Sequence, residues 1–184
     1  MTLAEMLGPG GGTRSSISAH LDALDKEGRV AECLALSREQ QKRLWEIASA
    51  DPAEAQDLVG DAGTAVFTGR NTLRLFTRFE KRFARHQGAL IGCNVHGLGW
   101  LTGPGYFTVT TGPTGLLFDY NRVPETGPDG WPRVASNDRG FASPVYGGLM
   151  DDAVWVARDV LIGSARRGVV PLDSYFVLAR VTSQ

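Results

Sequence analysis

The chain has 184 residues, 42% apolar and 21% charged, with a formal net charge of −1. That length suits one domain able to bury a sizeable core, and the near-neutral charge argues against a general nucleic-acid binder, whose domain is ordinarily basic. Two cysteines, Cys33 and Cys93, are too few and too differently placed for a disulfide scaffold and read as buried thiols.

Residues 1–15, with Gly8-Pro9-Gly10-Gly11-Gly12, read as a flexible tail. The glycine run lacks the Gly-Lys-Ser/Thr of a phosphate loop. No basic start followed by an apolar run marks a signal peptide. The longest stretch free of Asp, Glu, Lys and Arg, from His86 to Phe118, is broken by glycines, Pro104 and Pro113, so it predicts no transmembrane segment. These features lead to the expectation of a cytoplasmic protein.

Residues 16–184 read as a single α+β domain, beginning with a helical cap over 16–68. Ile17, Leu21 and Leu24 recur at helical spacing, and Val30, Cys33, Leu34 and Leu36 suggest a second short helix. Ser37 with Gln40 forms a capping box that opens a third. Asp51-Pro52 reads as a further helix start. The cap leans acidic, so sequence-specific DNA binding is not expected.

Segment 69–86 draws the eye. Wound as a helix, it gathers Phe76, Phe79 and Phe83 on one side, flanked by Leu73 and Leu75. Arg74, Arg78, Lys81 and Arg85 fall on the other side, with Arg82 at the border. It carries +5, which leaves −6 for the rest of the chain. The spacing predicts a basic amphipathic helix whose Phe face packs on a sheet.

After residue 87 the period changes to two. Strands are predicted over Ala89–His96, Tyr106–Thr111, Leu116–Tyr120 and Ser174–Thr182, with a turn at Gly112-Pro113-Thr114-Gly115. Short connections imply antiparallel pairing. Residues 121–148, rich in proline and glycine, form a long connection of the kind used as a lid, binding loop or partner surface. Residues 152–167 are read as a late helix, although AVWVARDVLIG is β-branched enough for a strand. The expected fold is therefore α+β, with a C-terminal antiparallel sheet of four or five strands under the basic helix. No internal repeat is present.

No motif declares an activity. The three histidines, His20, His86 and His96, show no metal-ligand spacing, and neither metal nor cofactor is expected. Cys93 and His96 lie three apart and face opposite ways on a straight strand, so that dyad needs a bulge. Asn94 and His96 share a face, followed by a Gly-rich run with Trp100 and Tyr106. With Tyr120 and Arg82 they make the candidate ligand-binding set.

Three functions fit this pattern. The first is a non-catalytic binding module for a small, partly apolar, anionic ligand between the sheet and the 121–148 loop. The second is a hydrolase- or isomerase-type enzyme with His96 as general base, assisted by Asp119 or Cys93. The third is an interaction protein that docks Arg74, Arg78, Lys81 and Arg85 on an acidic protein partner or anionic surface.

Overall fold

The computed structural model describes residues 1–73, 77–95 and 103–183. Eight antiparallel strands close into a barrel: β1 (Thr64–Asn71), β2 (Arg78–His86), β3 (Ala89–Val95), β4 (Phe107–Thr111), β5 (Leu116–Asp119), β6 (Leu149–Ala157), β7 (Val160–Arg167) and β8 (Val170–Ser183). Each strand pairs with its neighbour in sequence, and β8 returns to β1, so no edge is left open. The described helices are α1 (Leu3–Met6), α2 (Arg14–Ala23), α3 (Lys26–Ala35), α4 (Arg38–Ala50) and the single turn α5 (Ser143–Tyr146).

The α+β expectation is corrected by this barrel. Segment 69–86 is not a basic helix: 69–71 end β1, and Arg78–His86 form β2. The late helix over 152–167 is also replaced, by most of β6 and β7. Both errors have a physical cause. The walls formed by β6, β7 and β8 are buried on both faces, because α1–α4 cover them from outside. Such strands lose the polar-out alternation that identifies a strand and read as continuous apolar runs. In β2 the inward positions are Phe79, Lys81 and Phe83, and the central lysine breaks the apolar alternation.

The predicted elements that do occur include β3, β4 and β5, the 112–115 turn closed by Gly112 N–H to Gly115 O at 2.7 Å, and three helices of the cap. Ser37 and Gln40 form the expected capping box. Asp51-Pro52 starts no helix: residues 51–63 run irregularly beneath one end of the barrel. Residues 1–15 include α1, whose Leu3 and Met6 are buried against the cap.

Two separate cores result. Leu3, Met6, Ile17, Leu21, Cys33, Leu36, Leu44 and Ala48 pack on the outer faces of β6–β8 through Val154, Val156, Ile162, Val177 and Ala179. Arg29 fixes this cap. It is 7% exposed, donates to Leu21 O and Leu24 O, and pairs with Asp159 at the β6–β7 turn at 3.1 Å.

The second core fills one half of the barrel. Phe67, Phe83, Phe107 and Phe118 meet edge-on, tilted or stacked at centroid distances of 5.2–5.8 Å. Each contributes about 1.5–3 kcal/mol by removal from water. Trp155, Leu161, Leu58 and Val59 belong to the same core, and the 51–63 segment is tied down by Ala53 N–H to Trp155 O at 3.1 Å. Glycine makes room for the rings: a Cβ on Gly163 would strike the Phe176 ring, and one on Gly92 the Phe107 ring.

Candidate functional site in the open half of the barrel

Toward the other end the interior becomes polar at four positions. Lys81 on β2 stands in register with Asn94 on β3. Tyr120 follows β5, and Asp151 lies on β6. Their side chains converge: Lys81 Nζ lies 2.9 Å from Asn94 Oδ1, 2.5 Å from the Tyr120 hydroxyl and 3.4 Å from Asp151 Oδ2. The Tyr120 hydroxyl donates to Asp151 Oδ2 at 3.2 Å and accepts from Asn94 Nδ2 at 3.1 Å. Lys81 is 2% exposed and Asp151 4%. Five rings surround the ammonium, with Phe107 nearest at 4.6 Å and Tyr120, Phe118, Phe176 and Phe79 between 5.1 and 5.7 Å.

Burial lowers the Lys81 pKa, and the Asp151 charge opposes that shift without cancelling it. Burial raises the Asp151 pKa against the pull of Lys81. Both shifts favour uncharged forms. At 3.4 Å and an effective dielectric of about 20, the pair attracts by about 5 kcal/mol. Desolvation of two buried ions costs several kcal/mol each. The attraction offsets part of that cost. The Tyr120 phenol is held well above its ordinary pKa, first by burial and then by the Asp151 charge, and stays protonated.

Above this cluster lies a cavity of about 480 Å³, within the range of small-molecule sites. Lys81, Asn94, Tyr120 and Asp151 form its polar floor, with Phe79 and Phe176 beside them. Its mouth carries Leu73, Val145 and Leu172, exposed at 52%, 40% and 40%. Helix α5 borders that mouth. Tyr146 stacks on Tyr120 at 5.4 Å and 11°, and Arg167 at the end of β7 donates to Pro144 O. The 121–148 connection reaches the mouth along the outside of β4 and β5. Asn137 Nδ2 holds it there, donating to Tyr106 O and Tyr120 O at 2.7 Å each.

The residues singled out from sequence are divided by this arrangement. Asn94 and Tyr120 come together. Tyr106 faces outward, with its hydroxyl donating to Pro132 O at 2.7 Å. Arg82 also lies outside, paired with Glu80 at 2.7 Å. Cys93, beside Arg82, is buried on that outer side, and burial pushes its thiol up to about 12. Asp119 points away from Tyr120, accepts from Asn121 N–H and Nδ2, and pairs with Arg122 at 3.4 Å. His96, Trp100 and Arg74 lie outside the described residues. Arg78 is exposed at the start of β2, and Arg85 near its far end pairs with Asp57 at 2.9 Å. Lys81, grouped with them from sequence, points into the barrel instead.

Sequence reasoning missed Lys81 and Asp151 as interior groups. A signal for Lys81 was present: it lies midway between two phenylalanines at strand spacing, in a chain with three lysines and sixteen arginines. Among the described residues no group of three His, Cys, Asp or Glu side chains could hold a metal ion. No described helix is long and apolar enough to cross a membrane. No protein-family model matches the chain, and no curated protein or solved structure matches it.

Proposed function

We propose that the barrel is a binding module for one small, largely apolar molecule with a single oxygen-bearing polar end. The observation that carries this reading is a 480 Å³ cavity with apolar walls that ends on the buried Lys81–Asn94–Tyr120–Asp151 cluster. Eight-stranded barrels either fill their interior or hold one small ligand; here one half is filled by rings and the other half is open. Lys81 and Arg167 against Asp151 give the ionised lining a surplus positive charge, which favours an anionic or neutral polar end over a cationic one. The apolar rim of Leu73, Val145 and Leu172 suits entry of an apolar body.

Binding of the anionic, apolar dye 1-anilinonaphthalene-8-sulfonate tests the reading. The folded protein is expected to bind one dye per chain. Ala165→Trp, on the cavity wall in register with Asp151, is expected to weaken binding at least tenfold while leaving the circular dichroism and a cooperative unfolding transition intact. Equal dye binding by wild type and the filled variant, or none by either, would overturn the assignment.

A further inference from the structure

We infer that Lys81 condenses with a small apolar aldehyde held in the barrel, forming an imine through its Nζ; this inference rests on the cavity proposed above as a ligand site.

The first support is the choice of cation. The chain uses arginine sixteen times and lysine three times, and Lys26 and Lys42 have side chains more than half exposed. The buried cation on the inner wall is a lysine. A guanidinium would hold Asp151 at least as well, and it cannot give up its proton. An amine can, and a desolvated lysine in an apolar pocket is an effective carbonyl nucleophile.

The second support is the geometry around Nζ. The nitrogen lies at the cavity floor, where the polar end of an apolar ligand must arrive. Asp151 Oδ2 at 3.4 Å and the Tyr120 hydroxyl, which bridges the two, are placed to take and return protons.

The step balances within these groups. Lys81 passes one proton to Asp151, directly or through the Tyr120 hydroxyl. The freed lone pair attacks the carbonyl carbon, forming a C–N bond as the carbonyl π pair moves to oxygen. Proton transfer from nitrogen to that oxygen gives a neutral carbinolamine. Asp151 then protonates the hydroxyl, the C–O bond breaks, and water leaves. The product is a C=N bond carrying one proton on nitrogen, facing an ionised Asp151. Nothing is oxidised or reduced. The adduct carries the same net charge as the empty site, so its formation brings no net charge into the low-dielectric interior.

The test uses the full chain, trans-cinnamaldehyde at about one equivalent, and sodium borohydride to fix any imine. Peptide mapping by mass spectrometry then reads each amine. Lys81 is expected to carry at least ten times more label than Lys26, Lys42 or the amino terminus, which act as internal controls. Saturating 1-anilinonaphthalene-8-sulfonate should suppress the Lys81 label at least tenfold and leave the controls unchanged. Lys81→Arg, which keeps the charge, should lose the adduct. Label confined to the exposed amines, or a Lys81 label indifferent to the dye, would overturn the inference. If wild type binds the dye without labelling at Lys81, the imine fails and the cavity stands; if it neither binds nor labels, both fail.

Discussion

Lys81→Met isolates the electrostatics of the barrel interior. Methionine keeps much of the aliphatic stem among Phe107, Phe118 and Phe176, so packing changes little. Asp151 loses its cation and must either remain ionised in a dry site or bind a proton. Protonation sets the ceiling. A carboxyl with an unfolded pKa near ~3.9 takes up a proton at pH 7 at a cost of about 4 kcal/mol, from about 1.4 kcal/mol per pH unit. Loss of the ammonium donor to Asn94 and Tyr120 adds about 1 kcal/mol that does not depend on pH.

The expected destabilisation at pH 7 is therefore about 3–5 kcal/mol, in line with breaking a buried pair from one side. Its sign with pH follows from Asp151. Without Lys81 its folded pKa stands further above the unfolded value, so its contribution is fully present below about pH 4 and lost as pH rises through the folded pKa. The wild-type pair holds one proton between its two groups, as does the unfolded chain at pH 5–7, so wild type lacks this dependence. The penalty should fall by about 2–3 kcal/mol between pH 7 and pH 5. Urea unfolding of both proteins, followed by tryptophan fluorescence at the two pH values, measures it. Lys81→Met with Asp151→Leu should recover most of the loss, because no charge is left unpaired. A penalty unchanged at pH 5, or a double variant no more stable than the single, would refute the reasoning.

Arg29→Ala removes the guanidinium that donates to Leu21 O and Leu24 O and takes from Asp159 one of its two cations, Arg180 remaining at 2.7 Å; a loss of about 1–3 kcal/mol is expected as a lower urea midpoint. Dye binding by the folded variant should match wild type, since the cap packs outside the barrel, and a weakened dye site would contradict that separation. Cys33 and Cys93 are both buried, with thiols pushed up to about 12. Neither should react with an aromatic disulfide reagent at pH 8 until denaturant is added, when both should; a thiol titrating at once in the folded protein would show that its covering is wrong.

Strand β4 was legible because Thr108 and Thr110 alternate with buried Phe107 and Val109, so period two survives in the residue string, and β3 and β5 were legible as short apolar runs bounded by glycine turns. The α4 start was legible because a capping box is local chemistry that tertiary packing does not alter. Barrel closure was not legible. It depends on β6 and β7, whose outer faces are apolar because four N-terminal helices cover them, and nothing in 152–167 alone signals that cover. Val154, Val156 and Ile162 look the same whether they meet helices or form one. Asp151 went unnoticed as an interior group for the same reason: once 152–167 is read as a helix, an acid before it looks like a favourable charge at the N-terminus.

The misreading of 69–86 has a different origin, and it bears on function. Phe79 and Phe83 are four apart, a spacing that fits a helical face and also fits alternate inward positions of a strand. The residue between them decides, and it is Lys81. An apolar residue there would have completed Phe-x-Leu-x-Phe and revealed β2. A lysine argues for the helix, because a buried cation in a ring-lined interior is costly unless it is paired. The pair exists, but Asp151 is 70 residues away in sequence. Sequences tend to break local rules where a site needs a residue that folding alone would not choose. Here folding would be served by leucine at position 81, and charge pairing by arginine. Lysine is the choice that also leaves a nitrogen able to lose its proton, which is why the residue that hid the strand is the one on which the imine test is built.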